Sequence, residues 1–170
     1  MSRIEYKPIG VIHSPFKEPA GMPIQPLGAR GVEGRVEVAP AYEEGLQDLS
    51  GFSHIILLYH FHRSQGYRLR VTPFLDDEPR GLFATRAPRR PNSIGLSVVR
   101  LLRVAGTTLY IANVDMLDGT PLLDIKPYVP DFNAILADEE IRTGWLEHRS
   151  DRADRHRSDH RFAAPDSGDT

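Results

Sequence analysis

The body of the chain alternates short apolar runs with turn residues, and no amphipathic helical pattern longer than about ten residues stands out in it. The apolar runs are rich in Val, Ile, Leu, Tyr and Phe, the residue types that favour strands. Strands are therefore predicted over residues 4–12, 34–39, 53–62, 67–74, 81–85, 95–104 and 108–115. Short strands at this spacing are typical of a mainly β protein, either a barrel or a sandwich.

Two short helices are predicted at the periphery of this β body. The first covers residues 40–49, where Pro40 suits a first helical turn and Gly51 stands just past the end. The second covers residues 138–150, in which apolar side chains recur near helical spacing. We expect this second helix to dock on the body through Trp145.

Length and charge indicate one domain followed by a tail. A chain of 170 residues is long enough for one well-buried core, and we assign this domain to residues 1–137. From residue 138 onward, six arginines stand beside nine acidic residues and few apolar positions remain. Because such a segment has little apolar surface to bury, residues 151–170 are predicted to form a disordered charged tail.

The overall composition narrows the classes of function. With 40% apolar and 26% charged residues it is that of an ordinary soluble protein, and a net charge of −2 argues against nucleic-acid binding without a local basic patch. The absence of cysteine excludes disulfides, thiolate metal sites and a cysteine nucleophile. The N-terminus lacks the apolar core of a signal peptide and no apolar run approaches the roughly 20 residues of a membrane span, so we expect a cytoplasmic protein with no membrane partner.

A short segment with two prolines carries three arginines, Arg86, Arg89 and Arg90. Pro88 and Pro91 fix their own φ angles and push the preceding residues toward extended conformations, so the arginines cannot share a helix and must project from an ordered turn. Guanidinium groups are suited to carboxylates and phosphates, which predicts an anionic ligand. On spacing alone, a solvated basic hairpin tip is an equally good interpretation.

Three histidines, His54, His60 and His62, would project from one face of an extended strand. A pair of histidines two apart on a strand can bind zinc or iron. However, no acidic residue lies near them in the motif, and six residues of strand would place His54 roughly 20 Å from His60. We therefore predict no metal site, and favour core or site-lining histidines, one of which could act as a base.

A second polar cluster runs from Asp115 to Tyr128. Asp118 and Gly119 predict a turn, and Pro121 holds the residue before it in an extended conformation. The exposed backbone of such a turn could hold a ribose, an adenine edge or an amino-acid group. The alternative, favoured for this segment taken alone, is a hairpin with a surface ion pair between Asp124 and Lys126 that contributes little stability.

Glycines recur at every third position from Gly28 to Gly34, a spacing that could be mistaken for a nucleotide loop. A dinucleotide fingerprint has a different spacing and leads from a strand into a helix, whereas this segment leads into a predicted strand. We interpret it as a mobile loop. A nucleotide-like cofactor would therefore have to be held without a Rossmann cradle.

Four segments in order together resemble the TsaA-like family, whose characterised members, called TrmO, are S-adenosylmethionine-dependent methyltransferases acting on threonylcarbamoyladenosine beside the tRNA anticodon. The segments are residues 9–17, 51–55, 83–95 and 118–128, and the resemblance covers residues 4 to about 132. It implies a small closed β-barrel without a Rossmann sheet, S-adenosylmethionine as cofactor, tRNA as substrate, and a homodimer with the site near the subunit contact. It does not include the C-terminal domain of longer bacterial members.

The resemblance also implies a set of site residues. Cofactor contacts would fall on Pro23, Ile24, Gln25, His62, Arg63, Arg86, Leu96, Asp118, Gly119, Thr120 and Pro121. Arg89, Arg90 and Lys126 would contact the RNA.

Chemical roles can be assigned to some of these residues as hypotheses. Arg86 would pair with an anionic group of the cofactor or substrate, and the backbone at Leu96 and Gly119 would read the adenine. Since a carbamoylated nitrogen is a poor nucleophile, His62 or Asp118 would remove its proton. Two other classes of function remain open: a methyltransferase acting on a small molecule, and a non-enzymatic module that binds S-adenosylmethionine or RNA.

Overall fold

The structure is a computed structural model that describes residues 3–136 and 139–162. Within these residues the chain forms eight strands: β1 Gly10–His13, β2 Glu33–Val38, β3 His54–His60, β4 Arg70–Val71, β5 Arg80–Gly81, β6 Ile94–Ala105, β7 Thr108–Ala112 and β8 Thr120–Pro127. One α-helical turn, α1, covers Pro130–Asn133. Short 3-10 helices cover Pro26–Ala29, Pro40–Leu46, Leu49–Gly51, Leu82–Ala84, Gly144–Leu146, Ser150–Asp154 and His160–Phe162.

Six of these strands close into a barrel in the order β1-β2-β7-β6-β3-β8, and every pairing in it is antiparallel. The barrel closes because β8 pairs with β3 on one side and with β1 on the other. Strands β4 and β5 form a separate two-stranded ribbon. The expectation of a mainly β protein built on a small closed barrel is confirmed.

The barrel is filled by side chains that alternate along each strand. In β3, Ile55, Leu57 and Tyr59 are buried, whereas Ile56 and Leu58 between them are partly exposed. This period of two is what a strand with one buried face requires. The most completely buried apolar side chains of the core cluster are Ile12, Val36, Ile55, Leu57, Val99, Leu109, Ile111, Val114 and Leu122.

The structure differs from the predicted strands in several places. Of the strand predicted over 4–12, only the end is present, as β1. The strand predicted over 81–85 is mostly a 3-10 turn, and of 67–74 two residues pair in β4. Strand β8 was not among the predicted strands, because it contains Pro121 and Pro127 and proline weakens a strand pattern. Pro121 pairs with Val11 of β1 near the start of β8.

The predicted helices are also shorter than expected. Of residues 40–49, the first seven form the 3-10 helix Pro40–Leu46. Asp48, whose backbone is left-handed with a φ of 65°, separates this helix from the next 3-10 turn at Leu49–Gly51. In place of a helix over 138–150, the described part of that range has a 3-10 turn at Gly144–Leu146. Gly144 has a φ of 56°, which is incompatible with a continuous right-handed helix.

The segment predicted to be a disordered tail instead lies against the body as far as the structure describes it. We call residues 144–162 the C-terminal strap. Ser158 accepts a backbone hydrogen bond from Gly21 at 2.8 Å and donates one to Met22 at 2.8 Å. Arg149 pairs with Asp76 at 2.5 Å. The composition suggested solvated charges, but Arg149 finds a partner in the body. Of the residues covered by the helix and tail predictions, 138 and 163–170 lie outside the described residues.

None of the helices within the described ranges is long and apolar enough to cross a membrane.

Candidate functional site

A cavity of about 890 Å³ opens at one end of the barrel. Its lining includes the end of β3, the start of β6 and the start of β8, which meet at the same end because these strands are antiparallel neighbours. Three further parts of the chain complete the walls: the loop around residues 22–27, the arginine segment around 83–90, and the C-terminal strap. The lining is mainly apolar with a few polar groups, which is the usual character of a ligand pocket.

The arginine segment is organised by one of its own side chains. Arg90 Nη1 donates to the carbonyl oxygens of Leu82, Thr85 and Ala87 at 3.4, 3.0 and 3.3 Å. The guanidinium also lies 5.7 Å from the centroid of the Phe83 ring. Arg90 therefore holds the turn in shape, although it also borders the cavity.

Arg89 is 8% exposed, so its side chain is buried in the protein. Of the two arginines expected to contact tRNA phosphates, Arg90 is thus engaged within the segment and Arg89 is largely buried. Proline spacing predicted the ordered turn, but it could not show which guanidinium groups the turn itself would use.

Arg86 differs from its two neighbours, since it is exposed and borders the cavity. Its Nη1 donates a 3.2 Å hydrogen bond to Oε1 of Gln25. Gln25 lines the cavity together with Pro23 and Ile24. The structure therefore brings together the two predicted groups of cofactor contacts at residues 23–25 and at Arg86.

Asp118 is not among the residues that line this cavity, although Leu117 and Thr120 of the same turn are. Its carboxylate receives hydrogen bonds from Lys17 Nζ at 2.5 Å and from the Ser14 amide at 3.1 Å, and it lies 3.4 Å from the His13 ring. The hydrogen bond from Lys17 lowers the pKa of Asp118 below its ordinary value. The residue borders a second, smaller cavity of about 500 Å³.

Backbone groups of this turn also have partners within the protein. The Gly119 amide donates to the carbonyl of Ile12 at 2.9 Å, and the φ of 78° at Gly119 is one that glycine adopts without strain. Pro121 pairs with Val11 across the barrel wall. Thr120 lines the large cavity, and its hydroxyl donates to the Leu117 carbonyl at 2.7 Å.

The chain reaches the large cavity just before that turn, through Asp115, Met116 and Leu117. Ser97 Oγ donates a 2.7 Å hydrogen bond to Asp115 Oδ1, and Tyr59 OH lies 3.0 Å from Ser97 Oγ. Burial raises the pKa of the Asp115 carboxyl to about 7 and also raises the pKa of the Tyr59 hydroxyl. Tyr59 and Asp115 line the cavity, and the buried Ser97 connects them in a polar chain. Asp115 belongs to the second polar cluster of the sequence, but sequence reasoning assigned no role to any of the three.

His62 lies where β3 has ended, and it lines the cavity beside Arg63. Burial lowers the pKa of His62, and the positive charge of Arg63 lowers it further, so the imidazole is neutral at pH 7. Arg63 Nη2 donates to the Lys17 carbonyl at 3.3 Å. Among the residues that the structure describes, no group of three metal-ligating side chains comes together.

Two predicted site residues have quite different surroundings. Leu96 lines the cavity with its side chain 49% exposed, while its backbone pairs with Leu58 in the β3–β6 ladder. Lys126 forms an exposed 2.7 Å ion pair with Asp124 on β8, outside the cavity lining. The surface ion pair, one of the two interpretations of that segment, is present.

The C-terminal strap supplies one wall of the cavity. Trp145, Ala153 and Phe162 are among its lining residues. Trp145 Nε1 donates to the Ala84 carbonyl at 2.7 Å, and the Phe162 ring meets Phe74 edge-on at 5.1 Å. Sequence reasoning singled out Trp145 for docking but did not foresee that the residues after it would border the site.

Comparisons with known proteins agree with this architecture. The family model of the tRNA-methyltransferase O N-terminal domain matches residues 11–134. The crystal structure of TrmO from Pseudomonas aeruginosa superimposes with a TM-score of 0.69 at 41% identity, covering 85% of this chain and 63% of that chain. The chain belongs to the tRNA-methyltransferase O family, which confirms the resemblance seen in its sequence.

Two relatives describe the range of this family. A Pyrococcus abyssi protein named as a probable S-adenosyl-L-methionine-binding protein is 56% identical over 92% of this chain and 84% of its own length. The tRNA (adenine(37)-N6)-methyltransferase of Mus musculus is 38% identical over 75% of this chain and 31% of its own length. The chain thus spans less than two thirds of the mouse protein and of the Pseudomonas structure.

Proposed function

We propose that this protein is an S-adenosylmethionine-dependent methyltransferase that methylates the exocyclic nitrogen of adenosine 37 in tRNA, with threonylcarbamoyladenosine as the acceptor. The observation that carries the proposal is one cavity that joins Arg86, the residues 23–25 and the polar chain at Asp115, in a chain of this family. The names of the Pyrococcus and mouse relatives support the cofactor and the class of acceptor.

The residues of the cavity fit S-adenosylmethionine. A volume of about 890 Å³ lies within the range of pockets that enclose ligands of this size. The apolar lining suits an adenine ring, and Arg86 is an exposed guanidinium at the wall that suits the carboxylate of the amino-acid part. The cofactor when bound supplies a methyl group on a positively charged sulfur.

We assign the binding of that cofactor to Pro23, Ile24, Gln25, His62, Arg63, Arg86, Leu96 and Thr120. Arg86 binds and orients the anionic end, and Gln25 holds the Arg86 guanidinium in place through their hydrogen bond. Asp118, Gly119 and Pro121 act indirectly, because their polar groups and backbone are used within the turn that positions Thr120. Alignment of the acceptor and exclusion of water by the apolar walls are expected to account for much of the rate.

Of the two bases inferred from the sequence, His62 borders the cavity and Asp118 does not. Asp118 is held as a carboxylate by Lys17, and the pKa of a good base lies closer to neutrality. His62 is neutral at pH 7 and can accept a proton. It therefore remains the candidate base among the predicted residues.

The tRNA and dimer contacts are part of the same proposal. Phe83, Ile94 and Leu96, which line the cavity, are 75%, 41% and 49% exposed, and a second copy of the chain would cover such side chains. Lys126 offers an exposed cation for a phosphate. We propose a cytoplasmic homodimer, whose mass light scattering would measure directly.

Mass spectrometry of tRNA nucleosides from cells with and without the gene tests the reaction. Loss of the methylated threonylcarbamoyl nucleoside on deletion, restored by the wild-type gene, is the expected result. Calorimetry with S-adenosylmethionine separately tests the cofactor. Binding of S-adenosylmethionine with no change in any tRNA nucleoside would contradict the tRNA substrate and favour a small-molecule acceptor, whereas absence of binding would contradict the methyltransferase class.

A further inference from the structure

Asp115 has an unusual position for a carboxyl group in this fold. It follows directly after the buried Val114, and its side chain reaches the wall of the large cavity. The residue is half-buried, and carboxyl groups with little access to water are rare unless they are paired. Within the described residues Asp115 forms no ion pair, in contrast to Asp118, which pairs with Lys17.

The hydrogen bonds at Asp115 have a defined direction. Ser97 has one hydroxyl proton and donates it to Asp115 Oδ1, so Tyr59 must be the donor in its contact with Ser97. Burial keeps Tyr59 protonated by raising the pKa of its hydroxyl. The chain therefore runs from Tyr59 to Ser97 to Asp115, and it fixes the carboxyl in one orientation on the cavity wall.

We propose that Asp115 is the base that accepts the proton from the acceptor nitrogen during methyl transfer. This inference rests on the function proposed above and deepens it. Ser97 is a positioning residue that acts through Asp115, and Tyr59 acts through Ser97. His62 then serves in binding.

The chemical balance of the step requires such a group. The acceptor nitrogen forms a bond to the methyl carbon, the bond from that carbon to sulfur breaks, and sulfur leaves as a neutral thioether with the electron pair. The nitrogen would keep a positive charge unless its proton departs. Asp115 takes that proton as a carboxylate and becomes a neutral carboxylic acid, which the surrounding apolar wall favours.

The electrostatic surroundings suit this role. The groups that face Asp115 are Tyr59 from β3, Ser97 from β6 and Arg86 from the arginine segment. Burial raises the pKa of Asp115 to about 7, while the Ser97 hydrogen bond and the positive charge of Arg86 limit the rise. A base works best when its pKa lies near the working pH. The pKa of Asp118, in contrast, is lowered below its ordinary value of 3.8.

Titration of the protein without any substrate gives the first test. Carbon-13 spectra of the aspartate carboxyl groups should show one aspartate that titrates near pH 7, and Asp115→Asn should remove that signal. Ser97→Ala should move its midpoint to higher pH, because the lost hydrogen bond had stabilised the charged form. Absence of any aspartate that titrates above about pH 5 would overturn the inference.

The second test is a single-turnover methylation series across pH, using tRNA from cells that lack the gene. The wild-type rate should rise about tenfold per pH unit below a midpoint near 7 and then level off. Asp115→Asn should lower the plateau rate by about a hundredfold or more and abolish this limb. Ser97→Ala should shift the limb toward higher pH while a plateau remains.

His62→Gln tests the other candidate base. Because the pKa of His62 lies below its ordinary value of 6.5, a rate that depended on His62 would change below pH 6.5. A wild-type limb below pH 6.5 that His62→Gln removes would assign the base to His62 and overturn the inference. Calorimetric binding of S-adenosylmethionine to Asp115→Asn would show that the variant is folded. If the variant does not fold, the shift of the pH limb in Ser97→Ala decides whether Asp115 is the base. Wild-type protein inactive at every pH would overturn the proposed function as well, whereas active Asp115→Asn with an unchanged profile would overturn this inference alone.

Discussion

The indole of Trp145 donates its proton to the carbonyl oxygen of Ala84 across 2.7 Å, which joins the C-terminal strap to the arginine segment. The guanidinium of Arg80 lies 5.8 Å from the centroid of the same indole. Ala84 is separated from Arg86 by one residue, and all three of Ala84, Arg86 and Trp145 border the cavity. The strap is therefore positioned to influence the side chain that we assign to the anionic end of the cofactor.

Replacing Trp145 by Phe should keep a ring near Arg80 and remove the hydrogen bond to Ala84. We expect the free energy of unfolding to fall by about 0.5–1.5 kcal/mol, the usual contribution of such a hydrogen bond. Chemical denaturation measures this loss. Phe132→Ala is the control, because Phe132 is 82% exposed on α1 and its removal should change stability by less than about 0.5 kcal/mol. Equal stability of Trp145→Phe and wild-type protein would mean that the strap is not held at this point.

A second connection between strap and body is pH-dependent. Asp76 is buried and forms ion pairs with Arg80 Nη2 at 2.6 Å and with Arg149 Nη1 at 2.5 Å. Burial acts to raise the pKa of Asp76, but the hydrogen bonds from Arg80 and Arg149 outweigh it and lower the pKa from 3.8 to about 2. The pKa of Asp76 is lower in the folded protein than in the unfolded chain. Its charged carboxylate therefore stabilises the fold above pH 4, and this stabilisation is lost as the pH falls toward 2.

Asp76→Asn should consequently lower the free energy of unfolding at pH 7, and the difference from wild-type protein should shrink between pH 4 and pH 2. Urea unfolding at a series of pH values measures both quantities. Asp77→Asn, at the exposed neighbouring position, serves as the control. A difference between Asp76→Asn and wild type that stays constant down to pH 2 would show that the two arginines do not act through the charge of Asp76.

The fold could be predicted from the sequence in large part. Alternation of apolar residues was sufficient for β3 and for the long strand β6, because one face of each is buried in the core. It failed for β8, where two prolines obscured the pattern, and for the strap, where five arginines suggested a solvated segment. Arg149 shows why, since its partner Asp76 lies in a distant loop that no local pattern can reveal.

The site shows the same division between local and distant information. The arginine segment and the turn at Asp118 were found because prolines and glycines mark ordered turns. Asp115 stood in the second polar cluster but was assigned no role, because it also ends a predicted strand and its partner Ser97 lies 18 residues earlier in the chain. Asp115 and Asp118 are close together in the sequence, and nothing in the sequence indicates that Asp115 lines the large cavity and Asp118 the small one.

Gly95 is a position where packing beside the site can be tested. A Cβ atom at Gly95 would overlap the ring of Tyr59, the first member of the polar chain that leads to Asp115. Gly95→Ala should therefore displace that ring and lower the free energy of unfolding by about 1–3 kcal/mol, as overpacking of a core does. Thermal unfolding measures the loss. Gly45→Ala is the matched control, because a Cβ atom added at Gly45 would meet nothing within 4 Å among the described residues and the effect should be small.

Arg86 provides the most direct prediction about the cofactor. Arg86→Gln removes the charge while keeping a side chain that can hydrogen bond, and a charged hydrogen bond of this kind contributes about 1.5–3 kcal/mol. We expect the Kd for S-adenosylmethionine, measured by calorimetry, to rise by about tenfold to a hundredfold. The effect should weaken at high salt, because the lost interaction is electrostatic.

Arg100→Gln is the control for this prediction. Arg100 is an exposed arginine of β6 outside the lining of the large cavity, so its replacement lowers the net charge of the protein equally without touching the site. An equal loss of affinity in both variants would mean that the overall charge of the protein attracts the cofactor. Unchanged affinity in Arg86→Gln would instead place the anionic end of the cofactor elsewhere in the cavity, with Arg63 the next cation on its wall.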